Sequence, residues 1–337
     1  MRTVHRFLLY TVVFGMSVSL VAAGEAKSRR TTKMFPANAK FELLWNKGVF
    51  TEGVAVGPHG KIYFSDIPPD ARPGRVLRFD PASGRTDVYC ADSGKSNGLM
   101  FDRRGRLIAA CGAAHGKQAL CEITPAGRVK VLIGRYKGKR FNSLNDLVIH
   151  PSGRIYFSDP RYLGDEPVEL SHMSVYRYDP DRSIHRVTTD ISKPNGVVVS
   201  PDGNTLYVAE TDNGTVHTQR GKETRGKRMT LNAFPINPDG SLGRKRVLHN
   251  FGEETGVDGM TVDVRGRIFA AVRSKKRNGI TVFSPTGKIL AYRKVPQLPT
   301  NCCFGIGKEA GILYVTAGTG LYRIRTNTRG FHPALAR

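Results

Sequence analysis

Six residues of this chain share a type and a setting: Glu52, Asn97, Asn145, Asn195, Asp258 and Asn301. Each is a carboxylate or a carboxamide just ahead of a short apolar run, at steps of 45, 48, 50, 63 and 43 residues. Asn or Asp before Gly is an ordinary turn former, so one such position says little. A turn role would also admit Ser, Lys or Gly, and none stands at these six positions. Oxygen donors without Cys or His suit a hard cation. Two carboxylates, Glu52 and Asp258, balance two positive charges, and the Asn carbonyls add neutral oxygens. A wide ring of side chains from separate repeats predicts calcium ahead of magnesium. Zinc is disfavoured, because His59, His115, His172 and His217 fall in loops or turns without ligand spacing.

The elements that position these residues are repeated hairpins. In residues 142–160, NSLNDLVIHPSGRIYFSDP, Asn145 opens an apolar run, a Pro-x-Gly turn follows at 151–153, and a second strand runs back. The same order recurs in VAVGPHGKIYFSD, LMFDRRGRLIAAC, VVVSPDGNTLYVAET and MTVDVRGRIFAAV. Second strand pairs such as VLRFDPASGRTDVYC and GITVFSPTGKILAYRKV lie between most hairpins, giving four strands per repeat. Six repeats of this length predict an all-β, six-bladed β-propeller over residues 41–329. The first strand of each blade then lines a central channel, and the six residues ring one mouth of it. The last repeat stops soon after LYRIRTN, so the N-terminal strand at 41–47 is expected to close the ring.

Residues 1–26 carry Arg2 and Arg6, an apolar run at 7–23, and small residues at Ala23 and Ala26. They read as a removable signal peptide, which predicts a periplasmic or extracellular protein with no stable membrane insertion. Residues 27–40 and 330–337 are expected as tails. The formal charge is +24. A field of that size attracts polyanions. The Lys and Arg runs at 103–106, 220–228, 243–246 and 274–277 lack the aromatic interleaving that stacks bases, so no specific nucleic acid is expected and polyanion binding is weak. The five Cys (Cys90, Cys111, Cys121, Cys302, Cys303) are an odd count without regular spacing. Cys111 and Cys121 close a hairpin and are the one pair placed to bridge. Cys302 and Cys303 read as core residues.

The segments EGVAVGPHGKIYFSD, FNSLNDLVIHPSGRIYFSDPRY, KPNGVVVSPDGNTLYVAET, GVDGMTVDVRGRIFAAV and PTNCCFG with LYVTAG, taken in this order, resemble the SMP-30/gluconolactonase/LRE-like family, its secreted bacterial gluconolactonase-type members in particular. The resemblance runs from about residue 41 to 325. It implies a six-bladed propeller with one catalytic divalent metal, usually calcium, held by Glu52, Asn145, Asn195 and Asp258. Asn97 and Asn301 are then expected near the substrate. Arg140 and Asn142, in the loop leading to Asn145, are either substrate contacts or loop supports. Leu144 stands where the family has Pro, and FGIG where it has FGG; neither change falls on an implied ligand.

The activity this implies is hydrolysis of a lactone, a sugar-derived one such as an aldono- or gluconolactone. Calcium would polarise the carbonyl and Asp258 would activate water as general base. No G-x-S-x-G elbow or Ser/His/Asp order offers a rival nucleophile. Asp146 is expected to point into its blade and support the ligand loop. Two other functions fit the same pattern: a propeller that holds an acidic polymer on its basic face, and a phosphoester or organophosphate hydrolase at the same site.

Overall fold

Thr51–Val56 is buried along its whole length, whereas Arg85–Cys90, the outermost strand of the same sheet, is largely open to solvent. That gradient follows from the architecture. The computed structural model, which describes residues 33–218, 221–224 and 226–333, is a six-bladed β-propeller. Blade 1 is Thr51–Val56, Ile62–Asp66, Arg75–Asp80 and Arg85–Cys90. Blade 2 is Ser96–Phe101, Leu107–Cys111, Ala119–Ile123 and Val129–Ile133, and blade 3 is Leu147–Ile149, Ile155–Asp159, Ser174–Tyr178 and Ile184–Thr188. Blade 4 is Pro194–Val199, Thr205–Asp212, Arg228–Pro235 and Arg246–Asn250, and blade 5 is Val257–Val262, Ile268–Val272, Gly279–Phe283 and Ile289–Lys294. Blade 6 has Pro299–Phe304, Ile312–Ala317 and Gly320–Arg325, and Glu42–Trp45 pairs antiparallel with the last of these as its outer strand.

The apolar residues form six buried clusters, and each one joins two neighbouring blades. Val54, Val56 and Phe64 of blade 1 pack with Cys303, Tyr314 and Leu321 of blade 6; Val198, Tyr207 and Leu231 of blade 4 pack with Val257, Ile268 and Phe283 of blade 5. A blade therefore has no complete core of its own. Each fully buried Leu, Ile or Phe contributes roughly 1.5–3 kcal/mol only once its neighbour is in place.

The hairpin turns close as the sequence suggests. In blade 3 the Gly153 N–H donates to the His150 carbonyl at 2.8 Å, and Gly153 takes the left-handed φ of 86° that the turn needs. The long step between Asn195 and Asp258 is taken up partly by a two-stranded ribbon, Thr215–Thr218 with Gly221–Thr224. The ribbon links the second and third strands of blade 4, so it stands on the same face as the channel mouth.

Met34 and Phe35, within the stretch expected as an N-terminal tail, are buried instead against Phe269, Phe304 and Val315. After Arg325 the chain runs back under blades 5 and 6, where the Phe331 N–H donates to the Val262 carbonyl and His332 meets the Gly305 carbonyl. Residues 1–26, expected from the sequence to be a signal peptide, lie outside the described residues. All five Cys are buried and free, Cys111 and Cys121 on neighbouring strands of blade 2.

Candidate functional site

The ring residues are aimed by a repeated irregularity. The pairing of the inner strand with its neighbour shifts register between Glu52 and Ala55, Ser96 and Leu99, Pro194 and Val197, Val257 and Met260, and Pro299 and Asn301. Bulges of this kind re-aim a side chain out of the strict alternation of a strand. In blade 3 the strand starts only at Leu147, and the Asn145 N–H is held by the Ser158 carbonyl. The glycine that follows a ring residue marks a close approach by the next blade. A β-carbon on Gly53 would lie 1.6 Å from the Asn97 carbonyl oxygen, and one on Gly259 would lie 2.2 Å from Asn301 Cγ.

Glu52, Asn195 and Asp258 meet at the mouth, each nearly inaccessible to solvent. Asn195 donates from Nδ2 to Asp258 Oδ1 at 2.8 Å, while its own Oδ1 is buried with no partner among the described residues. Among the described residues, Glu52 Oε2 accepts the Gly53 N–H alone, at 3.1 Å. Burial, and then the negative charge of Asp258, push the Glu52 carboxyl well above the usual carboxylate range. Burial also raises Asp258, opposed by Arg273 and by the Asn195 hydrogen bond. Arg273 Nη1 donates to Asp258 Oδ2 at 2.8 Å, and its guanidinium lies 5.8 Å from the centre of the Phe50 ring.

Among the other ring positions, Asn97 is half-buried and its Oδ1 has no partner. Asn145 is half-buried, and its backbone carbonyl accepts from Gly98 of blade 2 at 2.7 Å. Asn301 accepts the Cys302 N–H on Oδ1 at 2.8 Å. Asp146 does not point into its blade as the sequence suggests. Its carboxylate accepts from Leu147 N at 2.9 Å and from Val197 N of blade 4 at 3.2 Å, with the Asn301 amide of blade 6 beside it. Burial raises its carboxyl to about 7 in spite of those donors.

Arg140 and Asn142 are not gathered into this group. Glu169 holds both the backbone N–H of Arg140 and its Nε, at 2.7 and 2.6 Å. Asn142 is fully buried and its Nδ2 reaches Asp159 Oδ2 at 3.0 Å, which braces the loop leading to Asn145.

Sequence reasoning missed Arg273 and Tyr162. The Tyr162 hydroxyl donates to the Thr211 carbonyl at 2.9 Å, and burial followed by the charge of Asp258 raises it well above the ordinary tyrosine value. Arg273 stands at the end of the second strand of its blade, where other blades have Ile67, Gly112, Thr211 and Gly318, so no repeated residue type signals it, and Tyr162 lies in a loop. A signal did exist for a second set of acids, at the ends of FSD, FSD and VAE. Asp66 accepts Val49 N and Phe50 N, Asp159 accepts Asn142 N and Ser143 N, and Glu210 accepts Ser192 N. These buried carboxylates hold the loops that deliver Glu52, Asn145 and Asn195.

The donor set fits a hard divalent cation. Glu52 and Asp258 supply two buried carboxylates, and the unpartnered Oδ1 atoms of Asn195 and Asn97 are neutral acceptors left without hydrogen bonds. Among the described residues no three His, Cys, Asp or Glu side chains converge on one point, so an ion here must draw on Asn oxygens.

The chain is 31% identical over 330 residues to a gluconolactonase of Zymomonas mobilis, covering 90% of this chain and 86% of that one. It is 27% identical to a pentonolactonase of Haloferax volcanii, over 77% of this chain and 78% of that one. Its fold matches a gluconolactonase structure from Xanthomonas campestris with a TM-score of 0.73 and 29% identity, over 88% of this chain and 91% of that one. A calcium-binding protein, regucalcin, from Agrobacterium tumefaciens shares the fold at a TM-score of 0.69 and 21% identity, over 91% of this chain and 99% of that one. With residues 50–319 matching the pattern described as the SMP-30/Gluconolactonase/LRE-like region, the chain belongs to that family.

Proposed function

We propose that this protein hydrolyses a lactone, a sugar-derived one such as an aldono- or gluconolactone, at the Glu52–Asn195–Asp258 mouth. Lactone-hydrolysing relatives from two organisms support the reaction class. The observation that carries the site is the unpartnered Oδ1 of Asn195 beside two buried carboxylates. Glu52, Asn195 and Asp258, with Asn145 completing the set, are the residues that would hold a divalent cation, calcium in the first instance. When bound, the cation supplies Lewis acidity toward the lactone carbonyl.

In this reading Asp258 takes a proton from water as the water oxygen bonds to the carbonyl carbon. Asn195 orients the Asp258 carboxylate through its Nδ2 hydrogen bond. The ring C–O bond then breaks and the ring oxygen leaves as a hydroxyl after taking a proton, giving a hydroxy acid. Asn97 and Asn301 present amides to substrate hydroxyls, and Tyr162 and Phe50 exclude water from the rim.

The test is a panel of aldonolactones and phosphoesters assayed on the mature protein with and without chelator. Lactone turnover that disappears with chelator supports the proposal. Turnover of phosphoesters alone moves the reaction to that class, and no turnover of either returns the protein to a binding role.

One observation favours the second reading, binding of an acidic polymer. A cleft of about 550 Å³ between blades 2 and 3 is lined by five basic side chains, among them Arg103, Arg104 and Arg182, against three acids, Asp102, Glu122 and Asp179. It opens beside the turns at 102–105 and 151–153, on the face away from the mouth. Steep loss of polymer binding with salt, and unchanged lactone turnover, would separate the two faces. The apolar run at 7–23 supports export, which N-terminal sequencing of the mature protein tests.

A further inference from the structure

We propose that Arg273 is a built-in competitor of the cation: its guanidinium holds the Asp258 carboxylate that a divalent ion needs, and thereby sets the affinity of the ring for that ion. The inference rests on the reading that Glu52, Asn195 and Asp258 bind a cation.

The contact is local and firm. Arg273 is the residue after strand Ile268–Val272, and its backbone N–H donates to the Gly256 carbonyl at 3.0 Å, two residues from Asp258. Its Nη1 lies 2.8 Å from Asp258 Oδ2, a charge-assisted bond to a carboxylate that is 5% exposed. Its positive charge faces Glu52 as well as Asp258. One guanidinium thus offsets two buried carboxylates, which would otherwise repel each other.

The same charge opposes a second cation. An ion that uses Asp258 Oδ2 must displace Nη1 or sit beside it, and either event weakens its binding. The arginine has somewhere to go. Its side chain is 27% exposed, and its guanidinium already lies over the Phe50 ring at 5.8 Å. It can slide along that ring toward solvent without burying an unpaired charge. A lysine at this position would keep the charge but lose the planar fork that reaches Asp258 and stacks on Phe50 together.

The test titrates calcium and manganese ions into chelator-stripped full-length parent, R273Q and R273K by calorimetry. Removing the charge should tighten cation binding at least tenfold in R273Q, while R273K stays within about threefold of the parent. R273Q should also melt below the parent in chelator and recover when calcium is added. If R273Q does not fold in chelator, its affinity is the refolding midpoint corrected for the folding deficit, which denaturant melts at several calcium concentrations supply. Equal or weaker binding by R273Q overturns the competitor role and leaves the cation reading standing. Binding by none of the three proteins overturns both, and lactone turnover in chelator then decides the catalytic reading separately.

Discussion

Asn195 of blade 4 donates its amide Nδ2 hydrogen to Asp258 Oδ1 of blade 5 at 2.8 Å, and that bond turns its own Oδ1 into a buried acceptor with nothing to accept. A buried carbonyl left unpaired costs roughly 1–3 kcal/mol. The pair therefore stores a modest deficit at the channel mouth, of the kind a bound cation relieves.

Asn195→Ala removes both halves of that arrangement. The lost bond to Asp258 and the removed orphan oxygen offset each other, so stability in chelator should change by about 1 kcal/mol or less. The gain in melting temperature on adding calcium to the parent, expected because the ion binds only the folded ring, should shrink sharply. A variant that keeps the full calcium-dependent shift would show that Asn195 holds no ion.

Asp258→Asn and Glu52→Gln each remove one negative charge and should weaken cation binding alike. Only Asp258 is proposed to take a proton from water, a role that typically contributes about 10² to 10⁴ in rate. At saturating calcium Glu52→Gln should recover much of its turnover, and Asp258→Asn should not. Turnover of Asp258→Asn within a few fold of the parent would leave Asp258 as a ligand only.

Asp159 gives a pH signature away from the ring. Burial raises its carboxyl from an ordinary 3.8 to about 7, against the N–H donors of Asn142 and Ser143. The folded state therefore binds more protons than the unfolded chain across that window, and stability falls as pH rises through it. Relative to Asp159→Asn, the parent should lose up to about 4 kcal/mol between pH 4 and 7 and then level off. Denaturant melts of the two proteins across pH 4–8 check this; a pH-independent difference would mean that Asp159 stays ionised in the fold.

Gly259→Ala tests the close approach of neighbouring blades. Its β-carbon would overlap Asn301 Cγ, Nδ2 and Oδ1 at 2.2–2.4 Å. The Asn301 amide must move and give up the Cys302 N–H, so the variant should lose about 1–3 kcal/mol. Unchanged melting and unchanged lactone KM would show that the Asn301 side chain is free to move and makes no contact with substrate.

The repeat made much of this protein legible. Residue type and spacing alone picked out Glu52, Asn195 and Asp258, which the fold brings together, because the same loop-to-strand junction recurs from blade to blade. The glycines after them looked like turn formers; in the fold they are where Asn97, Asp258 and Asn301 of the next blade press in. What the period could not convey is which groups meet across blades. The Arg273 position recurs at Ile67, Gly112, Thr211 and Gly318 with the same kind of backbone tie, but none of these is an arginine, so only the fold reveals that this side chain reaches Asp258. Arg140 stands near Asn145 in sequence, yet Glu169 captures it. Asp146 turns toward Val197 and Asn301 because closure of the ring brings blades 4 and 6 to its side. A linear sequence specifies each donor and acceptor, but pairing among them is set by distance, and those distances exist only once six incomplete cores have closed on one another.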